Sequence, residues 1–235
     1  IFRSPISEAC QGVITTCQQL GLGNWIEDRN LDMIREYFEN LKDNPKLLED
    51  YLESIFEKSK IKYTIMTNQI FDHQEIKLWT QTPTLNLSHR FKTSLRIDPL
   101  IININKTGEF IKQYGYPVNI NGFKNYLRDW NKRINPEYLM ASLPSDFIYS
   151  GKEITATPLI SESNLSPSQV IDLIIIPIAL ELHLPVAFKF GTQRMINPRL
   201  KSAGDSLGVS VSRVTCQSMS KASEVQIFSY FFITR

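Results

Sequence analysis

Hydrophobic and polar positions change rhythm near residue 60. Before that point the spacing is helical. Ser4-Pro5 places a capping serine ahead of a proline at the first helical position, with Glu8 in the first turn. Ile6, Ala9, Val13, Cys17 and Leu20 follow on one face, and Gly21 is a natural stop. A second helix is predicted over Leu31 to Leu41. Asn44-Pro45 opens a third, whose stripe of Leu47, Leu48, Tyr51, Leu52, Ile55 and Phe56 reads as core.

Beyond residue 60, short apolar runs alternate with amphipathic stretches. Ile61 to Thr67, Lys92 to Ile97, Tyr138 to Leu143 and Leu184 to Phe190 have strand length. Helices are predicted over about 72–81, 121–133 and 166–182, the last opening with the capping box Ser166-Pro-Ser-Gln169. Strand–helix alternation implies crossover connections and a parallel sheet, with the four runs neighbours in chain order. Val209 to Val214 and Gln226 to Ile233 supply two further strand candidates. The expected organisation is a helical segment over residues 1–60, packed on a parallel (β/α) barrel portion over residues 61–235. About six strands can be counted where a closed (β/α)8 barrel, the TIM type, needs eight. The stretch from Gly208 to Gln226 also leaves little room for a crossover helix.

Composition narrows the function. The chain has 235 residues with 42% hydrophobic content, enough for a full core. Its 26 basic and 24 acidic residues give a net charge of +2 and are dispersed, which argues against nucleic acid as the main partner. The longest apolar run, Leu173 to Leu180, is too short to span a bilayer, and no secretion signal opens the chain. Cys10 and Cys17 lie about 10 Å apart along one helix, too far for a disulfide. Reduced thiols and a cytoplasmic setting are expected. A small-molecule partner is expected, with homo-oligomerisation left open.

If the sheet is parallel, chemistry gathers at the C-terminal ends of its strands, where the sequence places Asn68, Arg96, Asp98, Ser142, Lys189, Arg194, Arg213 and Tyr230. Arg96 and Asp98 alternate at one strand end, suited to holding an anion or to closing the rim as an ion pair. Lys189 lies within the apolar run Phe188-Lys189-Phe190 and is read as facing inward, a candidate general base or cationic stand-in for a metal. His73, His89 and His183 form no local metal motif, and Cys216 has no positioned histidine. No metal ligand is assigned.

Two motifs resemble a known family. Gly191-x-x-Arg194-x-x-Asn197-x-Arg199 with Gly204-Asp205 resembles the signature after the fifth barrel strand of uronate isomerases, in the amidohydrolase superfamily. Leu95-Arg96-Ile97-Asp98-Pro99 resembles the family's Arg-Pro-Asp element after the third strand. Lys189 stands where better-known members have histidine. The resemblance implies a (β/α)8 barrel whose first and last strands lie outside Ile1 to Arg235, and aldose–ketose isomerisation of a hexuronate such as glucuronate. It implies a divalent metal, zinc above all, only if chain beyond those ends supplies the ligands. It also implies Arg96, Asp98, Arg194, Asn197 and Arg199 as substrate-binding groups, with Lys189 the catalytic candidate. Two other readings share these residues: a metal-dependent hydrolase or decarboxylase of the same superfamily, and a non-catalytic sugar-acid-binding protein.

Overall fold

Ser7, rather than Ser4, caps the first helix: its hydroxyl accepts the Cys10 N–H at 3.3 Å. In the computed structural model the residues described are 6–81, 88–144, 147, 149, 165–189, 192–193, 206–207 and 227–230. Ser4-Pro5 and the strand expected over Val209 to Val214 lie outside them. The chain divides into two units, Ile1–Lys62 and Tyr63–Arg235.

The first unit holds α1 (Glu8–Gln19), α2 (Gly23–Glu27), α3 (Leu31–Asp43) and α4 (Pro45–Ser59). The short α2 carries too few positions to show a period. Asn30 and Asn44 cap α3 and α4 through the Met33 and Leu47 amides, and Gly21 turns the chain at φ +80°. Cys17, Leu22 and Ile26 form a small buried cluster with Ile14, Leu20, Trp25, Ile34 and Tyr37 packed on it. Lys58 of α4 donates to the Gln19 carbonyl at 2.6 Å, tying the last helix to the first. The stripe expected on α1 is buried at Cys17, while Ile6 and Val13 are exposed. On α4 the stripe is buried at Phe56, and Leu47 is exposed.

The second unit is built on a parallel sheet of β1 (Thr64–Asn68), β2 (Phe91–Arg96), β3 (Leu139–Ser142), β4 (Val186–Lys189) and β7 (Ile227–Tyr230). Strand order follows the chain, as the four expected runs require. A short antiparallel pair, β5 (Thr192–Gln193) with β6 (Ser206–Leu207), lies between β4 and β7 in sequence. The connecting helices are α5 (His73–Gln81), α6 (Asp98–Ile102), α7 (Ile104–Lys112), α8 (Ile120–Ile134) and the run α9 (Pro167–Val170), a π turn (Ile171–Ile175) and α10 (Ile176–Leu182). The capping box at Ser166 and Gln169 forms with both bonds present.

The π turn has a cause in the sequence. Pro177 has no N–H to give the Leu173 carbonyl, and its ring crowds that turn. The backbone widens, and the Ile176 N–H reaches back to the Ile171 carbonyl.

Strand alternation sorts side chains between two faces. Leu95, Leu139, Ala141, Val186 and Phe188 pack with Phe123, Leu127, Ile171, Ile174 and Ile178 in the core between sheet and helices. Fully burying one such aliphatic or aromatic side chain contributes roughly 1.5–3 kcal/mol. Gly122 permits α8 to pack as it does, because a Cβ there would stand 1.8 Å from the Pro117 carbonyl oxygen. Tyr126 donates its hydroxyl to the buried Ile70 carbonyl, anchoring α8 beneath the β1 end. Among the described residues no helix is long and apolar enough to cross a membrane.

Candidate functional site

With the core-facing strand residues accounted for, the opposite face of the sheet carries the remaining strand positions. Ser94 and Arg96 on β2, Met140 and Ser142 on β3, and Ala187 and Lys189 on β4 alternate with residues committed to the helix-side core. Arg96 is in register with Met140, and Ser142 with Lys189. Register places neighbours on adjacent strands on one face, about 4.8 Å apart across the sheet. Lys189 therefore shares a face with Arg96 and Ser142, the orientation expected of it, and is half-buried.

Asp98 is the pivot of this rim. It is the first residue of α6, with Pro99 behind it, and is 3% exposed. The β2 strand ends because the Ile97 carbonyl turns into α6 and accepts the Leu100 N–H at 3.1 Å. The Asp98 carboxylate accepts the Ser142 backbone N–H through Oδ1, closing the ladder from β2 to β3 with a side chain. Its Oδ2 accepts from Arg96 Nε. The Arg96 side chain is 39% exposed, and its terminal nitrogens have no partner among the described residues. Asp98 thus fixes the guanidinium by one edge and leaves the other edge open, a geometry suited to a bidentate oxyanion. Both of these bonds of Asp98 go to protein, so the carboxylate orients Arg96.

Other strand-end residues separate from this group. Asn68 is in register with Leu95, which puts it on the helix side; its Nδ2 donates to Glu75 Oε1 at 2.8 Å. Trp79 Nε1 donates to the same oxygen at 2.8 Å, so Asn68 belongs to a structural network. His73 opens α5, where its Nδ1 lies 2.5 Å from the Tyr114 hydroxyl and its ring packs on Phe110. His183 ends α10 at φ 55°, its N–H bonded to the Leu180 carbonyl at 3.2 Å. Arg194, Asn197, Arg199, Arg213 and Cys216 lie outside the described residues, as does the side chain of Tyr230.

Ser142 was visible in the sequence as a strand-end residue, but nothing there singled out its main-chain bond to Asp98. The signal available was the Asp-Pro pair beginning a helix directly after a strand, a place where a carboxylate can replace a ladder carbonyl. Among the described residues no group of three or more His, Cys, Asp or Glu side chains is placed to hold a metal.

No protein-family model and no curated protein matches the chain. Solved structures do. A uronate isomerase from Bacillus halodurans C-125 superposes with a TM-score of 0.75 at 28% identity, over 97% of this chain and 51% of that one. A glucuronate isomerase from Caulobacter crescentus superposes with a TM-score of 0.51 at 12% identity, over 76% of this chain and 43% of that one, a likeness of fold. This chain spans about half the length of the solved uronate isomerase it matches. With the likeness running through nearly all of its residues, the chain is similar to a uronate isomerase.

Proposed function

We propose that this chain belongs to an aldose–ketose isomerase acting on a hexuronate such as glucuronate, and that its five-stranded sheet is part of a (β/α)8 barrel. The observation that carries the reading is the edge-pinned Arg96, in a chain similar to a uronate isomerase over 97% of its length. A guanidinium whose Nε is held by a buried carboxylate keeps its terminal nitrogens fixed toward the strand-end face, and a sugar carboxylate fits that fork.

The residues divide the work. Arg96 binds the substrate carboxylate. Asp98 holds Arg96 and the end of β3 at fixed positions, so that little ordering is left for substrate binding. Lys189, on the same face, is assigned to the reacting end, where isomerisation moves a proton from C2 to C1 and another from O2 to O1. The aldehyde carbon is reduced as the neighbouring alcohol carbon is oxidised, so no external oxidant or reductant enters. Arg194, Asn197 and Arg199 are proposed as further substrate contacts from the stretch between β5 and β6 in sequence. The described residues do not fit a metal site. A divalent ion such as zinc, if used, would take its ligands from outside the described residues. A soluble, cytoplasmic protein is the setting this reading favours.

The test is direct. Full-length protein is incubated with glucuronate or galacturonate and the products are read by NMR. Appearance of the keto-uronate supports the reading; unchanged sugar, or release of carbon dioxide, ends it.

A further inference from the structure

We propose that the hydroxyl of Ser142 is a substrate-positioning group, donating to the carboxylate that Arg96 holds. The inference rests on the isomerase reading and deepens it. Its ground is the order of the strands: β3 lies between β2 and β4, so Ser142 stands between the strand bearing Arg96 and the strand bearing Lys189. Ser142 and Lys189 are in register on adjacent strands. Across β3, the Ser142 main chain is bonded to Asp98, which also holds the Arg96 guanidinium. One carboxylate therefore sets the position of both Arg96 and Ser142. A sugar acid reaching from Arg96 to Lys189 must pass over β3, where a small hydroxyl leaves room and supplies a donor.

The hydroxyl is separable from the scaffold. Only the backbone N–H of Ser142 serves the Asp98 bond, and among the described residues the side-chain Oγ has no hydrogen-bond partner. The ligand class that fits is a small carboxylate carrying hydroxyls, with one carboxylate oxygen accepting from Ser142 and its charge matched by Arg96.

The experiment compares wild type, S142A and S142T in the full-length protein, using glucuronate as the probe. Steady-state kinetics give KM and kcat, calorimetric titration gives Kd, and thermal melting reports on the fold. S142A keeps the backbone bond to Asp98, so its melting temperature should match wild type. The expected result is a rise of about tenfold or more in KM and Kd, because a bond to a charged partner is lost. S142T, which restores the hydroxyl, should recover most of the affinity. Turnover by wild type with KM unchanged in S142A overturns this inference and leaves the isomerase reading standing. Glucuronate binding without turnover ends the isomerase reading, and the S142A Kd then decides the Ser142 role alone. No binding of glucuronate by wild type overturns both.

Discussion

Replacing Asp98 by alanine should be among the most destabilising single changes at the strand ends. The carboxylate is nearly excluded from water and accepts two hydrogen bonds, one from the Ser142 amide and one from Arg96. Bonds to an ionised group contribute roughly 1.5–3 kcal/mol each. The Arg96 side chain is 39% exposed, so water replaces part of what it loses and its share belongs at the low end. The Ser142 amide is left facing the void. Together these give about 3–4 kcal/mol, inside the range of about 3–5 kcal/mol found when one partner of a buried pair is removed. With a urea m-value near the top of the usual 1–3 kcal/mol/M, the unfolding midpoint should fall by about 1–1.5 M. Asp98→Asn should lose about half as much, since its Oδ1 still accepts from Ser142 while its amide confronts the guanidinium. A double-mutant cycle with Arg96→Met isolates the pair. If D98A unfolds within about 0.5 kcal/mol of wild type with m unchanged, Asp98 does not close the sheet and the positioning argument for Arg96 falls.

Gly122→Ala should destabilise by about 1–3 kcal/mol or more, because its Cβ would meet the Pro117 backbone oxygen at 1.8 Å; chemical denaturation measures it. Tyr126→Phe should cost about 1–2 kcal/mol by stranding the buried Ile70 carbonyl, again read from the urea midpoint. Alkaline pH should destabilise the fold through Tyr116, whose hydroxyl is pushed up from the ordinary tyrosine value of 10.0 to about 12 by burial and by its bond to Asp129. Between those values the unfolded chain has released a proton that the folded chain keeps, so stability falls as pH rises from 10 toward 12; melting temperatures across that span, with Tyr116→Phe flattening the decline, check it. Asp172 is held above the usual carboxylate value by burial, partly offset by the Tyr149 hydroxyl bond. Its ionised form therefore opposes folding above the folded value, and Asp172→Asn should stabilise at neutral pH and leave a flatter acid-side profile.

How much could be read from the sequence follows from what each signal depends on. The four strand runs and their parallel order were legible because their period and spacing are local, and crossover rules then allow few topologies. Helix starts at Asn44 and Ser166 were legible because capping is set by one or two side chains. The start of α1 was placed at the first Ser-Pro, whereas Ser7 takes the capping role. Helices α6 and α7 were not anticipated, since they are short and follow a strand directly. The π turn depends on a clash between Pro177 and the preceding turn, which periodicity does not display. At the site, Arg96, Asp98 and Lys189 were visible, and so was the pairing of Arg96 with Asp98. The role of Asp98 arises from its bond to the Ser142 main chain, 44 residues away in sequence. Asn68, equally a strand-end residue, turned out to serve the helix layer because β1 pairs it with Leu95.

The claim most open to direct test is that an edge-pinned Arg96 holds a hexuronate carboxylate for isomerisation. Full-length protein and Arg96→Lys are assayed side by side for conversion of glucuronate to its keto isomer, with product followed by NMR and KM taken from initial rates. The account predicts conversion by wild type and a KM raised by about tenfold or more in R96K, where a point charge replaces the bidentate fork. Conversion with an unchanged KM in R96K would contradict the assignment of Arg96, and no conversion by wild type would contradict the function.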